Sequence, residues 1–210
     1  MRIGVIGAGS LGGTVGRLRV KAGHEVMFSS CHPEQLETMA RELGPRASVG
    51  QPLAAAEFGT VLLLAAFFEA LPQVGRDLCS AYNGKIVLNS TNPWGANGAD
   101  VCREARELGV AQTVVKYMPG ARLVRALSAV DATVVETSAS RAGGRIGMPL
   151  ASDDAEAMKV AEGLVRDAGC DPVIVGNLAT AASFQPGGPG FRAHLTAPEL
   201  RRRLGLPTTG

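Results

Sequence analysis

Apolar residues fall into short runs along this chain, separated by stretches in which apolar positions recur at three- and four-residue spacing. Ile3, Val5 and Ile6 form the first run, residues 24–29 the second, a brief one at 47–49 the third, and 60–66 the fourth. Continuous apolar runs of this length suit strands buried on both faces of a parallel sheet. The same reading predicts strands at 85–89, 122–127, 144–150 and 172–175, and helices at 14–21, 33–43, 69–82, 101–108, 111–117 and 153–168. Local punctuation supports these bounds. Gly23 closes the first helix, Pro33 opens the second, and Gly44-Pro45 ends it. Ser152 is placed to cap the long helix, with Asp153 and Asp154 at its positive pole and Gly169 after it. Thr196 and Glu199 have capping-box spacing for a short terminal helix. Strands alternating with helices mean βαβ units and right-handed crossovers. The fold class predicted is α/β, a Rossmann-type, doubly wound, mainly parallel sheet with a short C-terminal extension. Residues 1–180 are assigned to this sheet domain, and 181–210 to a C-terminal loop and short helix packed on it.

The first apolar run leads straight into Gly7-Ala8-Gly9-Ser10-Leu11-Gly12, a G-x-G-x-x-G pattern between a strand and a helix. Physically, the first glycine permits the tight turn, the second lets a pyrophosphate approach the main chain, and the third lets helix and strand pack closely. The helix start adds free N–H groups and a partial positive charge. That context marks residues 7–12 as the cradle for a dinucleotide.

Composition narrows the rest. A hydrophobic share of 46% with 19% charged residues fits a globular domain, and a net charge of +2 gives no reason to expect nucleic acid or an anionic membrane as partner. The apolar run at 61–68 is too short to span a bilayer, and the opening glycines occupy the place of a signal peptide's apolar region. Cys31, Cys79, Cys102 and Cys170 are scattered without a C-x-x-C, which fits a reducing cytoplasm better than disulfides or zinc. No metal site is expected.

Which dinucleotide is read from the end of the second strand, Phe28-Ser29-Ser30-Cys31-His32. An NAD site of this kind places a carboxylate there for the adenine ribose, and this loop has none. Glu25 lies at the strand's other end and Glu34 in the next helix. The hydroxyls of Ser29 and Ser30 and the ring of His32 can donate to a 2′-phosphate, which favours NADP, although no arginine stands in the loop. The two serines can equally satisfy their own turn.

The chain resembles the coenzyme F420-dependent NADP oxidoreductase family. The resemblance is carried by residues 1–12, Gly23-His24-Glu25-Val26, and Gly84-Lys85-Ile86-Val87 leading to Thr91-Asn92-Pro93-Trp94. It continues in the segments beginning Pro119-Gly120-Ala121-Arg122 and Asp153-Asp154-Ala155, and in Gly169-Cys170-Asp171-Pro172-Val173. It implies NADP along Gly7 to Gly12, Ser30 and Cys31 at the 2′-phosphate, and the nicotinamide near Ala65, Ala66, Phe67, Asn92 and Pro93. Three positions depart from the family pattern: Cys31 for an arginine, Phe67 for a proline, and Ser128 for an asparagine.

Hydride transfer between stacked rings needs orientation rather than a strong acid or base. No catalytic side chain is assigned, and none of His24, His32 and His194 has triad or metal-ligand spacing. His24 reads as structural and Lys116 as solvated. Arg122, Arg125, Arg141 and Arg145 read either as a solvated basic face or as contacts for an anionic acceptor tail. Segment 185–190, rich in glycine, reads as a linker or a lid. The expected activity is hydride transfer between NADP(H) and a small-molecule acceptor, a deazaflavin such as F420 by resemblance. The alternative is a nucleotide-binding sensor without turnover. A homodimer that completes the acceptor pocket is expected from the small size and short tail.

Overall fold

The computed structural model describes residues 1–94 and 100–207. In chain order the elements are β1 (Arg2–Ile6), α1 (Ser10–Lys21), β2 (Glu25–Ser29), α2 (Glu37–Leu43), β3 (Ala47–Gly50), α3 (Pro52–Phe58) and β4 (Val61–Leu64). They continue with α4 (Leu71–Asp77), α5 (Cys79–Tyr82), β5 (Ile86–Asn89), α6 (Asp100–Leu108), α7 (Val110–Tyr117), β6 (Arg122–Arg125) and α8 (Ala132–Ala139). The last are β7 (Gly147–Ala151), α9 (Ala155–Asp167), β8 (Asp171–Gly176) and α10 (Ala197–Arg203). The sheet has the order β3-β2-β1-β4-β5-β6-β7-β8, parallel from β3 to β6. β7 meets β6 antiparallel through the single pair Arg125 and Ala151, and β8 runs parallel to β7. The fold is therefore the doubly wound α/β arrangement predicted, with its direction reversed at the last two strands.

Strand residues alternate between two cores, as the period of a strand dictates. Ile3, Val5, Phe28, Leu63, Leu88 and Val124 face the side packed by α1, α8 and α9. Ile6, Leu62, Leu64, Val87 and Leu123 face the side covered by α3, α6 and α7. Chain order reverses between β1 and β4, which places the crevice at their carboxyl ends.

Several local expectations are corrected. The predicted helix 69–82 is a 3-10 turn (Phe68–Ala70) followed by α4 and α5, and 33–43 opens with a 3-10 turn (Pro33–Leu36) before α2. α3 and α8 were not predicted: one is short and begins at a proline, and the other has β-branched Thr133, Val134 and Val135 in its first turns. β6 stops at Arg125 because Leu127 turns with φ of 60°. Asp154, not Ser152, caps α9, accepting from the Ala157 N–H at 2.9 Å. Ser152 Oγ instead donates to Leu123 O at 2.7 Å, tying the reversed strand to β6. The Thr196–Glu199 capping box forms as predicted. The 185–190 segment folds back in turns, with Gly188 N–H to Gln185 O and Gly190 N–H to Ser183 O, both 2.8 Å.

Candidate functional site

The turn from β1 to α1 shows why each glycine is required. Gly7 has φ of 94°, and a Cβ there would meet Ala66 N at 2.7 Å, so the turn lies directly against the end of β4. A Cβ on Gly12 would lie 2.1 Å from Gly7 O, which explains the third glycine by close helix–strand contact. Around Gly9 the space is open to 4 Å. The main chain there can be approached by a bulky group, as a pyrophosphate site demands. Gly9 is also the N-cap of α1, with no side chain capping it and no acidic residue in the first turn, and Ser10 is exposed. The helix thus presents its positive end, uncompensated, to the crevice. Ala8 N–H is taken by Ser29 O at 2.9 Å, while Leu11 packs partly against the core.

The predicted 2′-phosphate loop divides. Ser29 is fully buried and donates its hydroxyl to Val5 O at 2.7 Å, so this side chain is structural and does not face the loop's surface. Ser30 is half-buried and accepts the His32 N–H at 3.1 Å; Cys31 and His32 are exposed. Glu34 lies in the 3-10 turn that opens the next helical segment. Its carboxylate reaches back to His32 Nδ1 at 3.4 Å, so a negative charge does lie beside the loop. A cation from outside the loop joins α1 to α2: Arg17 donates to Thr14 Oγ1 at 3.3 Å and reaches Met39 Sδ at 3.8 Å.

At the far side of the crevice Ala65 and Ala66 are half-buried, and Phe67 is 86% exposed. Ser90 ties β5 to β4 through its hydroxyl to Leu64 O at 2.8 Å. Pro93 is half-buried and Trp94 exposed. The Trp94 ring lies 5.5 Å from that of Phe191, and the Arg192 guanidinium covers both, 5.0 Å from Trp94 and 5.7 Å from Phe191. Asp131 holds that guanidinium at 2.6 Å.

The feature that sequence reading missed is Arg125. It is fully buried at the end of β6, neither a solvated base nor a surface contact. Nη1 donates to Asn89 Oδ1 at 2.9 Å and to Thr91 O at 2.5 Å, and Nη2 donates to Asn92 Oδ1 at 2.5 Å. Asn92 in turn donates to Ser128 O at 2.8 Å, and Thr91 returns its N–H and hydroxyl to Asn89 Oδ1. One guanidinium therefore braces residues 89–92, where the chain leaves β5. Its Nε, with Asn89 Nδ2 and Ser128 Oγ, has no partner among the described residues. Among the described residues no carboxylate faces it, and burial pushes its pKa down to about 9. A run reading Arg-Leu-Val-Arg gave no sign that its second arginine points inward.

Arg122, Arg141, Lys116 and His24 are committed elsewhere. Arg122 donates to Asp154 at 2.6 Å and to Glu156 at 3.0 Å, which raises its own pKa and holds Asp154 down at about 2. Arg141 donates to Gly144 O. Lys116 pairs with Glu104, and His24 bridges the N-terminal amine and Asp167.

Residues 2–93 match the family described as NADP oxidoreductase, coenzyme F420-dependent, so the resemblance read from the sequence holds over that stretch. Among solved structures, a hypothetical protein from Sinorhizobium meliloti superposes with a TM-score of 0.80 at 21% identity, over 93% of this chain and 95% of that one. A protein from Arthrobacter sp. FB24 that carries the name of an F420-dependent NADP-reductase gives 0.71 at 20% identity, over 86% and 87%. A pyrroline-5-carboxylate reductase from Coxiella burnetii gives 0.64 at 16% identity, over 88% and 64%. At these identities the likeness establishes a fold shared with NAD(P)-dependent reductases. No curated protein matches the chain. Among the described residues no helix is long and apolar enough to cross a membrane.

Proposed function

We propose that this protein is an NADP(H)-dependent oxidoreductase that moves hydride between the nicotinamide and a second planar ring, a deazaflavin such as F420. The observation that carries the reading is the β1–α1 turn: two glycines closed against the sheet, the third opening onto an uncapped helix end. That arrangement fits a pyrophosphate, which would lie on the amides of Gly9 to Gly12. Ser30 and His32 stand where a 2′-phosphate would be met. When bound, the cofactor supplies a hydride at its nicotinamide ring. Ala65, Ala66, Asn92 and Pro93 border the place for that ring at the ends of β4 and β5. Asn92 is fixed at both side-chain ends, which favours a single orientation of what it contacts. Exposed Phe67 and the Trp94–Phe191 face offer aromatic surface to an acceptor, or to a second copy completing the pocket.

Titrating the protein with NADPH and with NADH tests the first half; tighter NADPH binding is expected, and preference for NADH refutes the 2′-phosphate assignment. Mixing NADPH with F420 and following deazaflavin absorbance tests the second. Binding without transfer would instead identify a nucleotide sensor.

A further inference from the structure

Arg125 places an unneutralised charge next to the loop assigned to the nicotinamide. It is fully buried, it has no ion pair among the described residues, and every acceptor it uses is a carbonyl or amide oxygen. These acceptors orient the guanidinium and leave its unit charge intact. Asn92, assigned to the border of the ring site, accepts directly from that charge, its Oδ1 2.5 Å from Nη2. The oxidised nicotinamide is a cation. Accepting hydride, one proton with two electrons, makes the ring neutral. A fixed positive charge in a low-dielectric surround therefore opposes the oxidised form and leaves the reduced form untouched.

We infer that Arg125 sets the oxidation-state preference of the site, so that the protein holds reduced nicotinamide cofactor more tightly than oxidised. Arg125 is a specificity-determining residue here, distinct from any group that touches the reacting atoms. The inference rests on the nicotinamide reading above. It also gives the bound couple a direction: hydride arriving on the bound cofactor is favoured relative to the couple free in solution.

The test is calorimetric titration of the full-length protein with NADPH and with NADP+. For a buried unit charge one residue removed from the assigned ring site the expected ratio Kd(NADP+)/Kd(NADPH) is at least about tenfold. Arg125→Met weakens both through the loosened loop and collapses the ratio toward one. Arg125→Lys, which keeps the charge, weakens both but retains most of the ratio. Asn92→Ala removes the brace and leaves the guanidinium, so it shifts both constants together. A native ratio near one, or a ratio preserved in Arg125→Met, overturns the inference while leaving nucleotide binding intact. Should Arg125→Met not fold, the native ratio and Asn92→Ala decide. Binding of neither nucleotide overturns the nicotinamide assignment itself.

Discussion

The two rims of the crevice are built on opposite plans. At the end of β1 the protein removes side chains: Gly7 and Gly12 let backbone meet backbone, and Gly9 leaves the surface bare. At the ends of β5 and β6 it does the reverse, burying Asn89, Asn92 and Arg125 to lock a loop by side-chain hydrogen bonds. The first rim is rigid through sterics and tolerates no added atom at two positions. The second is rigid through polar groups, and three of their buried atoms have no hydrogen-bond partner among the described residues. A main-chain cradle suits the part of a ligand that does not react, whereas a side-chain brace can orient and polarise the part that does.

The steric rim is most sensitive at Gly12. Gly12→Ala puts a methyl 2.1 Å from Gly7 O, and a loss of roughly 3 kcal/mol, read as a melting drop of about 9 °C, is expected. An unchanged melting point would show that the steric rim is soft. Next in size is Arg19, a second fully buried arginine, whose three guanidinium nitrogens have no hydrogen-bond partner among the described residues. Burial lowers its pKa to about 10 against the opposing pull of Asp167. Because no loop depends on it, Arg19→Met is expected to stabilise by about 1–2 kcal/mol in denaturant unfolding. Destabilisation there would mean that buried arginines are held alike in both places. Gly9→Val is expected to move the melting point by less than about 2 °C, since the space is open, yet to weaken NADPH at least about tenfold.

The smallest effect concerns Arg122, the third arrangement, a part-exposed cation facing carboxylates. Asp154 titrates near 2 in the folded chain and in its ordinary range when unfolded. Its contribution is therefore present above about pH 4 and fades as pH falls toward 2. Asp154→Asn is expected to lower the melting point by a few degrees at pH 6 and to converge on the parent near pH 2.

How much of this could be read from the chain follows the same division. The glycine rim was legible because its physics is the absence of side chains, which the letters state directly. β1, β2, β4 and β5 were legible because burial on both faces leaves continuous apolar runs. The side-chain rim was not, since the two arginines of β6 look identical until the sheet shows that one faces carboxylates and the other the interior. The reversal of β7 was also hidden, because apolar spacing carries no strand direction. Glu34 lies in the next helical element as predicted, but sequence position does not show that its side chain turns back to His32.

The bare start of α1 has a consequence for stability. Asp154 finishes the start of α9 from within the chain, whereas the start of α1 has no side-chain cap and is left for something foreign to complete. A bound diphosphate would then act as a removable cap, and the empty protein would be the frayed form. Amide hydrogen exchange in residues 10–13 should slow on nucleotide addition more than anywhere else along that helix.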